Sequence, residues 1–319
     1  MKAIQFTKPW QVDYINTSKQ PKGSTIIKTL FSIISAGTEM AILSGNESWA
    51  PLPYIPGYGS VGRVIEDENG TFSPGDLVFT YGSHTEFSKT DTVTVKLSEN
   101  IKLEQAVFAR MAAVSITSIR CSNIELGDKV VVIGAGIVGN FAAQLAKLSG
   151  ANVSIVDPNE KRCLIAKECG IKSTYSNLDE IDDNIKFSTV IDATGVPSVI
   201  LNATNLVDDK GEFILLGSPR GAFKADVTPF LNKVHLCPTN MDLKGAHEWR
   251  YPVLKKDAPM QKHSIERNIE IILNLIESKQ LQIEPMVTDI ITPSQATTIY
   301  NKLREKDNTS LGIIINWEE

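Results

Sequence analysis

One stretch constrains the fold more than any other. Lys129-Val130-Val131-Val132-Ile133 runs directly into Gly134-Ala135-Gly136-Ile137-Val138-Gly139. The first five residues form a nearly unbroken β-branched run, which reads as a strand buried on both faces. The glycine spacing is weak evidence by itself. Here it joins that strand to a segment with helical period, Ile137–Ser149. A strand, a glycine turn and a helix in this order are the context a dinucleotide-binding turn requires. Gly134 permits the tight turn, Gly136 lets backbone approach a pyrophosphate, and Gly139 lets the helix pack on the strand. Ile137 and Val138 open the helix, whose N-terminal N–H groups attract an anion.

A second buried strand, Asn152–Val156, ends at Asp157, 18 residues beyond Gly139. A carboxylate there accepts hydrogen bonds from both ribose hydroxyls and repels a 2′-phosphate, so the expected cofactor is NAD(H) rather than NADP(H). Arg162, on the next predicted helix (Glu160–Cys169), can stack on adenine or meet a phosphate. Thr189–Ile191 and Phe213–Leu216 read as further strands, closed by Thr194-Gly195 and Gly217-Ser218-Pro219. Ligands of parallel sheets lie at such carboxyl ends, which makes these five residues candidates for lining ribose and nicotinamide. Ordinary turn chemistry explains any one of them equally well.

Strands alternating with helices predict a parallel α/β sheet in the middle of the chain. Residues 1–115 read differently, as short β-branched runs (Ser24–Ile34, Arg63–Glu66, Leu77–Phe79, Thr92–Leu97) between Gly/Pro turns such as Pro74-Gly75-Asp76. After about residue 245, Ser264 can cap a helix through Ile265, Ile269, Ile272 and Leu275. Another helix is expected from Pro293 or Ser294, and Leu311–Trp317 reads as a closing strand. The 319 residues suffice for two domains, and 42% hydrophobic content suffices for real cores. A net charge of −5 argues against a dominant nucleic-acid role. Four cysteines (Cys121, Cys163, Cys169, Cys237) without a CxxC pair predict neither a disulfide framework nor a structural zinc site. With no signal-peptide core and no apolar run of bilayer length, the expected setting is cytoplasmic, without membrane partners.

These motifs resemble the medium-chain dehydrogenase/reductase superfamily, of the alcohol- and sorbitol-dehydrogenase type. The resemblance covers nearly the whole chain. It rests on Ser35-Ala36-Gly37-Thr38-Glu39, Pro56-Gly57-Tyr58-Gly59-Ser60-Val61-Gly62, Pro74-Gly75-Asp76, Leu126-Gly127-Asp128, residues 134–139, and Val156-Asp157 followed by Arg162. It implies a doubly wound Rossmann domain (116–244) and a β-rich, GroES-like catalytic domain from both chain ends (1–115 and 245–319). It further implies an active site in the cleft between them, and a homodimer.

The departures bear on chemistry. Where zinc members carry a Cys, this chain has Ala36; where they carry His-Glu, it has Tyr58-Gly59. The third ligand position falls near Arg110. Methyl, phenol, hydrogen and guanidinium groups do not make a zinc site of the usual kind. In this the chain resembles zinc-lacking members grouped with bacteriochlorophyllide dehydrogenase, whose Ser-Ala/x-Gly-Thr-Glu and Gly-Ser-Pro-Arg-Gly elements look like residues 35–39 and 217–221. That similarity does not imply the pigment substrate. Zinc-free quinone and enoyl reductases of the superfamily lack an acid at the position of Asp157.

Without a Lewis acid, side-chain donors must stabilise the oxyanion and move the proton. Tyr58 is the first candidate, with Arg110 or an oxidised nicotinamide expected to lower its pKa; filling the vacated cavity is the competing role. Thr38 aligns with a proton-relaying hydroxyl of the superfamily and Glu39 with a supporting carboxylate, which can equally sit in a salt bridge with Arg110. His84, in a loop expected near the cleft, and His247, where the chain re-enters the first domain, are weaker candidates, because a lone histidine is more often packed or superficial. The expectation is a zinc-independent, NAD(H)-dependent enzyme interconverting a secondary alcohol and a ketone in a sugar, polyol or specialised metabolite. The alternatives are a non-catalytic NAD(H)-binding protein and a reductase of an activated C=C bond.

Overall fold

The computed structural model describes residues 1–18, 23–89, 92–305 and 309–318. In chain order the strands are β1 (Lys2–Lys8), β2 (Gln11–Asn16), β3 (Thr25–Ile33), β4 (Ser60–Asp67), β5 (Leu77–Thr80), β6 (Phe87–Lys89), β7 (Thr94–Lys96), β8 (Lys129–Ile133), β9 (Asn152–Val156), β10 (Ser173–Tyr175), β11 (Phe187–Asp192), β12 (Val207–Leu215), β13 (Asp242–Gly245), β14 (Val287–Ile291) and β15 (Gly312–Asn316). The helices are α1 (Ala36–Leu43), α2 (Leu103–Ala106), α3 (Ala109–Cys121), α4 (Ile137–Leu148), α5 (Glu160–Glu168), α6 (Pro197–Ala203), α7 (Thr228–His235), α8 (Ile265–Glu277) and α9 (Ala296–Leu303). None is long and apolar enough to cross a membrane.

The chain forms two compact units. One holds residues 1–110, 251–279 and 286–319, and the other holds 111–250 and 280–285. The first division falls inside the continuous helix α3.

In the middle unit, β8 to β13 build one sheet in the order β10-β9-β8-β11-β12-β13. Every neighbouring pair is parallel. This is the doubly wound order, with its topological switch beside the first strand, β8. The apolar run on β8 divides between two cores. Val130 and Val132 pack under α4 with Ala142, Ala143 and Ala146. Val131 and Ile133 face the other side, with Val190, Ile200 and Phe213. Small residues on α4 let the helix lie close to the sheet, as a crossover helix must.

The other unit is β-rich. Its larger sheet runs β14-β15-β3-β4-β5-β7, with β6 also pairing β3, and β1 pairs β2 in a separate hairpin. Both chain ends meet in one core, where Phe6, Ile34 and Ile42 pack with Ile299, Tyr300, Ile313 and Trp317. The closing strand β15 joins β3 antiparallel, pairing Ile314 with Ile33. The hairpin β1–β2 carries no glycine at its turn; Trp10 takes the left-handed conformation instead, at φ 62°.

Ser264 caps α8 through its side chain, which accepts from the Arg267 N–H at 3.1 Å. The helix then buries Ile265, Ile269, Ile272 and Ile276 on one face. Thr292 and Gln295 form a capping box just ahead of α9. Ser264→Ala is expected to lose about 1 kcal/mol of stability, the usual cost of an N-cap. Urea denaturation of the two proteins side by side measures this.

Candidate functional site

Two sets of candidate residues form, one in each unit. In the middle unit, Gly134 directly follows β8 at φ 98°, and its N–H donates to the Val156 carbonyl at 2.7 Å. A Cβ on Gly139 would fall 1.8 Å from the Gly134 oxygen, so the helix start rests directly on the turn. A Cβ on Gly136 would meet nothing within 4 Å. The turn therefore has backbone exposed to open space at its middle glycine, at the N-terminus of α4, which is the cradle a pyrophosphate fits. Ile137 and Val138 are half-buried. The Val138 carbonyl accepts from Ser115 Oγ at 2.8 Å, which ties α4 to α3.

Asp157 is held in place by backbone. Its Oδ2 accepts from the Ala135 N–H and its Oδ1 from the Asn159 N–H, both at 2.8 Å. Arg162 approaches the same carboxylate, with Nη1 3.8 Å from Oδ2. Gly134, Gly136, Asp157, Arg162 and Thr194 line one cavity of about 850 Å³. Gly195 and Gly217 play a different part. A Cβ on Gly195 would sit 2.4 Å from the Ser218 oxygen, and one on Gly217 would sit 2.3 Å from the Gly195 nitrogen. The turns after β11 and β12 are thus packed backbone on backbone, with Ser218 and Pro219 exposed beyond them.

Sequence reasoning missed what builds the first of those turns. Asp192 is fully buried. Its carboxylate accepts from the Thr194 N–H and hydroxyl (3.2 and 2.6 Å) and from the Gly195 N–H at 3.0 Å. Burial pushes its pKa up, and these hydrogen bonds pull against that rise. The Asp at the last strand position, two residues before a Thr-Gly turn, was the available signal.

In the β-rich unit, Tyr58, Arg110, Glu39, His84 and Thr38 belong to one cluster. Arg110 is 4% exposed, and its guanidinium lies between two rings, 4.5 Å from the Tyr58 centroid and 4.4 Å from that of Tyr81. Its Nε also donates to the Tyr58 carbonyl at 3.1 Å. Glycines make this arrangement possible. A Cβ on Gly59 would come 2.6 Å from Arg110 Cβ. A Cβ on Gly57, which sits at φ 90°, would come 2.6 Å from the His84 backbone nitrogen. Tyr58 is thus flanked by two residues that must lack side chains so that Arg110 and His84 can pack. The loss of a ligand side chain at 59 and the presence of Arg110 are one packing event.

His84 has no exposed surface and stands away from solvent rather than at a loop surface. Its Nδ1 pairs with Ser32 Oγ at 2.9 Å and its Nε2 with Glu39 Oε2 at 3.2 Å. Trp317 Nε1 donates to the same Ser32 oxygen at 2.9 Å. Glu39 is equally buried. Its Oε1 accepts from the Ser35 N–H at 2.8 Å, and its Oε2 also accepts from the Tyr300 phenol. Tyr58 in turn donates to Ser35 Oγ. His247 belongs to the other unit, where it is exposed ahead of a short 3₁₀ turn, Glu248–Arg250.

Arg110 acts on the Tyr58 phenol in the expected direction but does not decide the net shift. The phenol pKa is raised, because burial outweighs the lowering effects of Arg110 and of hydrogen bonds with Ser35 and Thr38; Glu39 adds to the rise. The phenol accordingly keeps its proton near neutral pH. The positions that carry zinc ligands in related enzymes are Ala36, Tyr58, Gly59 and Arg110 by resemblance. Their donor chemistry does not fit that metal, and the neighbouring Glu39 is already committed at both oxygens.

Tyr300 is fully buried and its pKa is held well above the ordinary phenol value, by burial first and by Glu39 second. The folded protein keeps this proton where the unfolded chain loses it, above about pH 10. The folded state then binds more protons than the unfolded, so stability falls as pH rises through that range. Tyr300→Phe is expected to flatten this alkaline decline while lowering stability at neutral pH, as urea midpoints between pH 7 and about 11 would record.

Comparison with known proteins agrees with the architecture. Residues 138–254 match the family described as zinc-binding dehydrogenase. The 2-dehydro-3-deoxy-L-galactonate 5-dehydrogenase of Pseudoalteromonas atlantica is 23% identical over 202 residues, 61% of this chain and 53% of that protein. The match thus spans about half of that relative's length. The 2-desacetyl-2-hydroxyethyl bacteriochlorophyllide A dehydrogenase of Rhodobacter capsulatus is 24% identical over 313 residues, 93% of this chain and 91% of that one. A solved structure from Sinorhizobium meliloti 1021, bound to NADP, superposes with a TM-score of 0.81 at 16% identity, covering 99% of this chain and 98% of that one. The doubly wound sheet order and the β-rich unit made from both chain ends give the chain the fold of medium-chain dehydrogenases, to which it is also similar in sequence.

Proposed function

We propose that the protein is an NAD(H)-dependent oxidoreductase that interconverts a secondary alcohol and a ketone, in a sugar, polyol or specialised metabolite, without a catalytic zinc ion. The observation that carries this reading is the Tyr58 phenol stacked on the Arg110 guanidinium, at the positions that by resemblance hold metal ligands in zinc members. Relatives named as dehydrogenases of a sugar acid and of a tetrapyrrole support the reaction class.

The dinucleotide, when bound, supplies or accepts the hydride. The glycine turn would hold its pyrophosphate, and Asp157 its adenosine ribose. Two backbone N–H groups fix the Asp157 carboxylate, which favours a ribose diol over a 2′-phosphate. On reduction, Tyr58 gives its proton to the carbonyl oxygen. Arg110 holds a permanent positive charge beside that oxygen and stabilises the charge that develops on it. Its burial between two rings keeps it from being screened by water. Thr38 touches the Tyr58 phenol and helps orient it. Glu39 and His84, both without exposed surface, act by holding this cluster rather than by touching substrate. The reading includes a homodimer.

Gly136→Ala is expected to leave the melting temperature unchanged, since its Cβ meets no protein atom, while weakening NADH binding roughly tenfold or more, as calorimetry would show. Tyr58→Phe is expected to lower kcat about a hundredfold or more in a panel of secondary alcohols and ketones, with NADH affinity retained. A stoichiometric zinc requirement for turnover would reject the mechanism. Tight NADH binding with no turnover across the panel would reject the enzymatic assignment.

A further inference from the structure

Ser35 occupies the N-cap position of α1 but does not cap it: its side chain accepts from no backbone N–H of the first turn. A serine there normally accepts such a bond, and forgoing it costs helix stability. Its groups are committed elsewhere. The Ser35 N–H donates to Glu39 Oε1 at 2.8 Å, so a side chain one turn along the helix reaches back to the cap. The hydroxyl receives the Tyr58 phenol. Glu39 cannot shift to release the backbone, because Tyr300 and His84 hold its other oxygen inside the core. Ser35 itself is 8% exposed.

We propose that Ser35 is the positioning residue of the Tyr58 phenol, and the group through which that phenol exchanges its proton. The proposal rests on the reading of Tyr58 as proton donor. In reduction, the phenol proton goes to the carbonyl oxygen as hydride reaches the carbon. The phenolate then takes the Ser35 hydroxyl proton in the same step as solvent water gives Ser35 another, and the hydroxide left is neutralised by bulk buffer. Oxidation runs these transfers in reverse, and the hydrogen bond in the resting structure, with Tyr58 donating to Ser35, is set for that direction. The glutamate fixes the serine backbone, and the fixed backbone fixes the hydroxyl.

The other groups near the phenol do not substitute for Ser35. Arg110 has no proton to exchange near neutral pH. Glu39 reaches Ser35 through the backbone N–H rather than through the hydroxyl. Tyr54, half-buried and sensing both Glu39 and Tyr58, has a pKa raised chiefly by burial. Thr38 also bonds the phenol and is the nearest rival.

The test uses the full chain labelled with 3-fluorotyrosine, with the Tyr58 fluorine resonance assigned through Tyr58→Phe. Once Tyr58 ionises, the Ser35 hydroxyl turns to donate to the phenolate and stabilises it, so Ser35→Ala should raise the titration midpoint of that resonance by about half a unit or more. Ser35→Thr should restore it, and Thr38→Val should move it less than Ser35→Ala does. A midpoint unmoved in Ser35→Ala overturns the proposal. On any alcohol that turns over, Ser35→Ala should lower kcat about tenfold or more at unchanged KM, with Ser35→Thr recovering most of the loss. Wild-type kcat in Ser35→Ala, with Tyr58→Phe inactive, overturns the role of Ser35 alone. Full activity in Tyr58→Phe overturns instead the reading of Tyr58 on which that role rests.

Discussion

A carboxylate with no exposed surface has to be hydrogen-bonded, because an unsatisfied buried charge costs several kcal/mol. Glu39 is that group, and much of the β-rich unit is arranged around it. Its partners come from three distant parts of the chain: Ser35 at the start of α1, His84 in the loop before β6, and Tyr300 in α9. Tyr300 also packs edge-on against Phe6 of β1, with ring centroids 5.0 Å apart. The same carboxylate thus anchors both chain ends to one core. Ser32, between His84 and Trp317, extends the network to the chain's last strand region.

From this fixed point the candidate chemistry follows by packing. Glycine at 57 admits His84, and glycine at 59 admits Arg110. Between them Tyr58 presents its ring to the guanidinium and its hydroxyl to Ser35. A phenol surrounded by protein resists ionisation, and a buried guanidinium stays charged under all ordinary conditions. In the proposed reaction the pair would supply a proton and a positive charge at one place, the positive charge standing in for the Lewis acid of zinc enzymes.

The middle unit was the most legible part of the sequence. Lys129–Ile133 and Asn152–Val156 are strands with the expected ends, because buried parallel strands have sharp apolar limits. The strand before Leu216 proved longer, starting at Val207, because its first half is polar and exposed. The edge strand β13 escaped notice for the same reason: its sequence, DLKG, carries no apolar alternation. The β1–β2 hairpin was hidden by a turn made at Trp10 without glycine. In the site, the glycine turn with Asp157 was readable because its parts are close in sequence. The Glu39–His84–Tyr300 set was not, because each is a single polar residue whose partners lie tens to hundreds of positions away. Ser35 and Glu39 form a serine–glutamate pair spaced one residue wider than a capping box, and this was the one local hint. The direction of the Tyr58 pKa also needed the structure, because sequence names the nearby cation but not the depth of burial that outweighs it.

The central claim is that hydride chemistry at this site proceeds on side-chain proton donors alone. Deuteride transfer tests it most directly. Protein stripped with a strong chelator and verified free of zinc by mass spectrometry would be mixed with deuterium-labelled NADH and a ketone of the sugar–polyol series. The account predicts deuterium on the carbinol carbon, formed at the rate of untreated protein. Label that appears only after zinc is restored would contradict it.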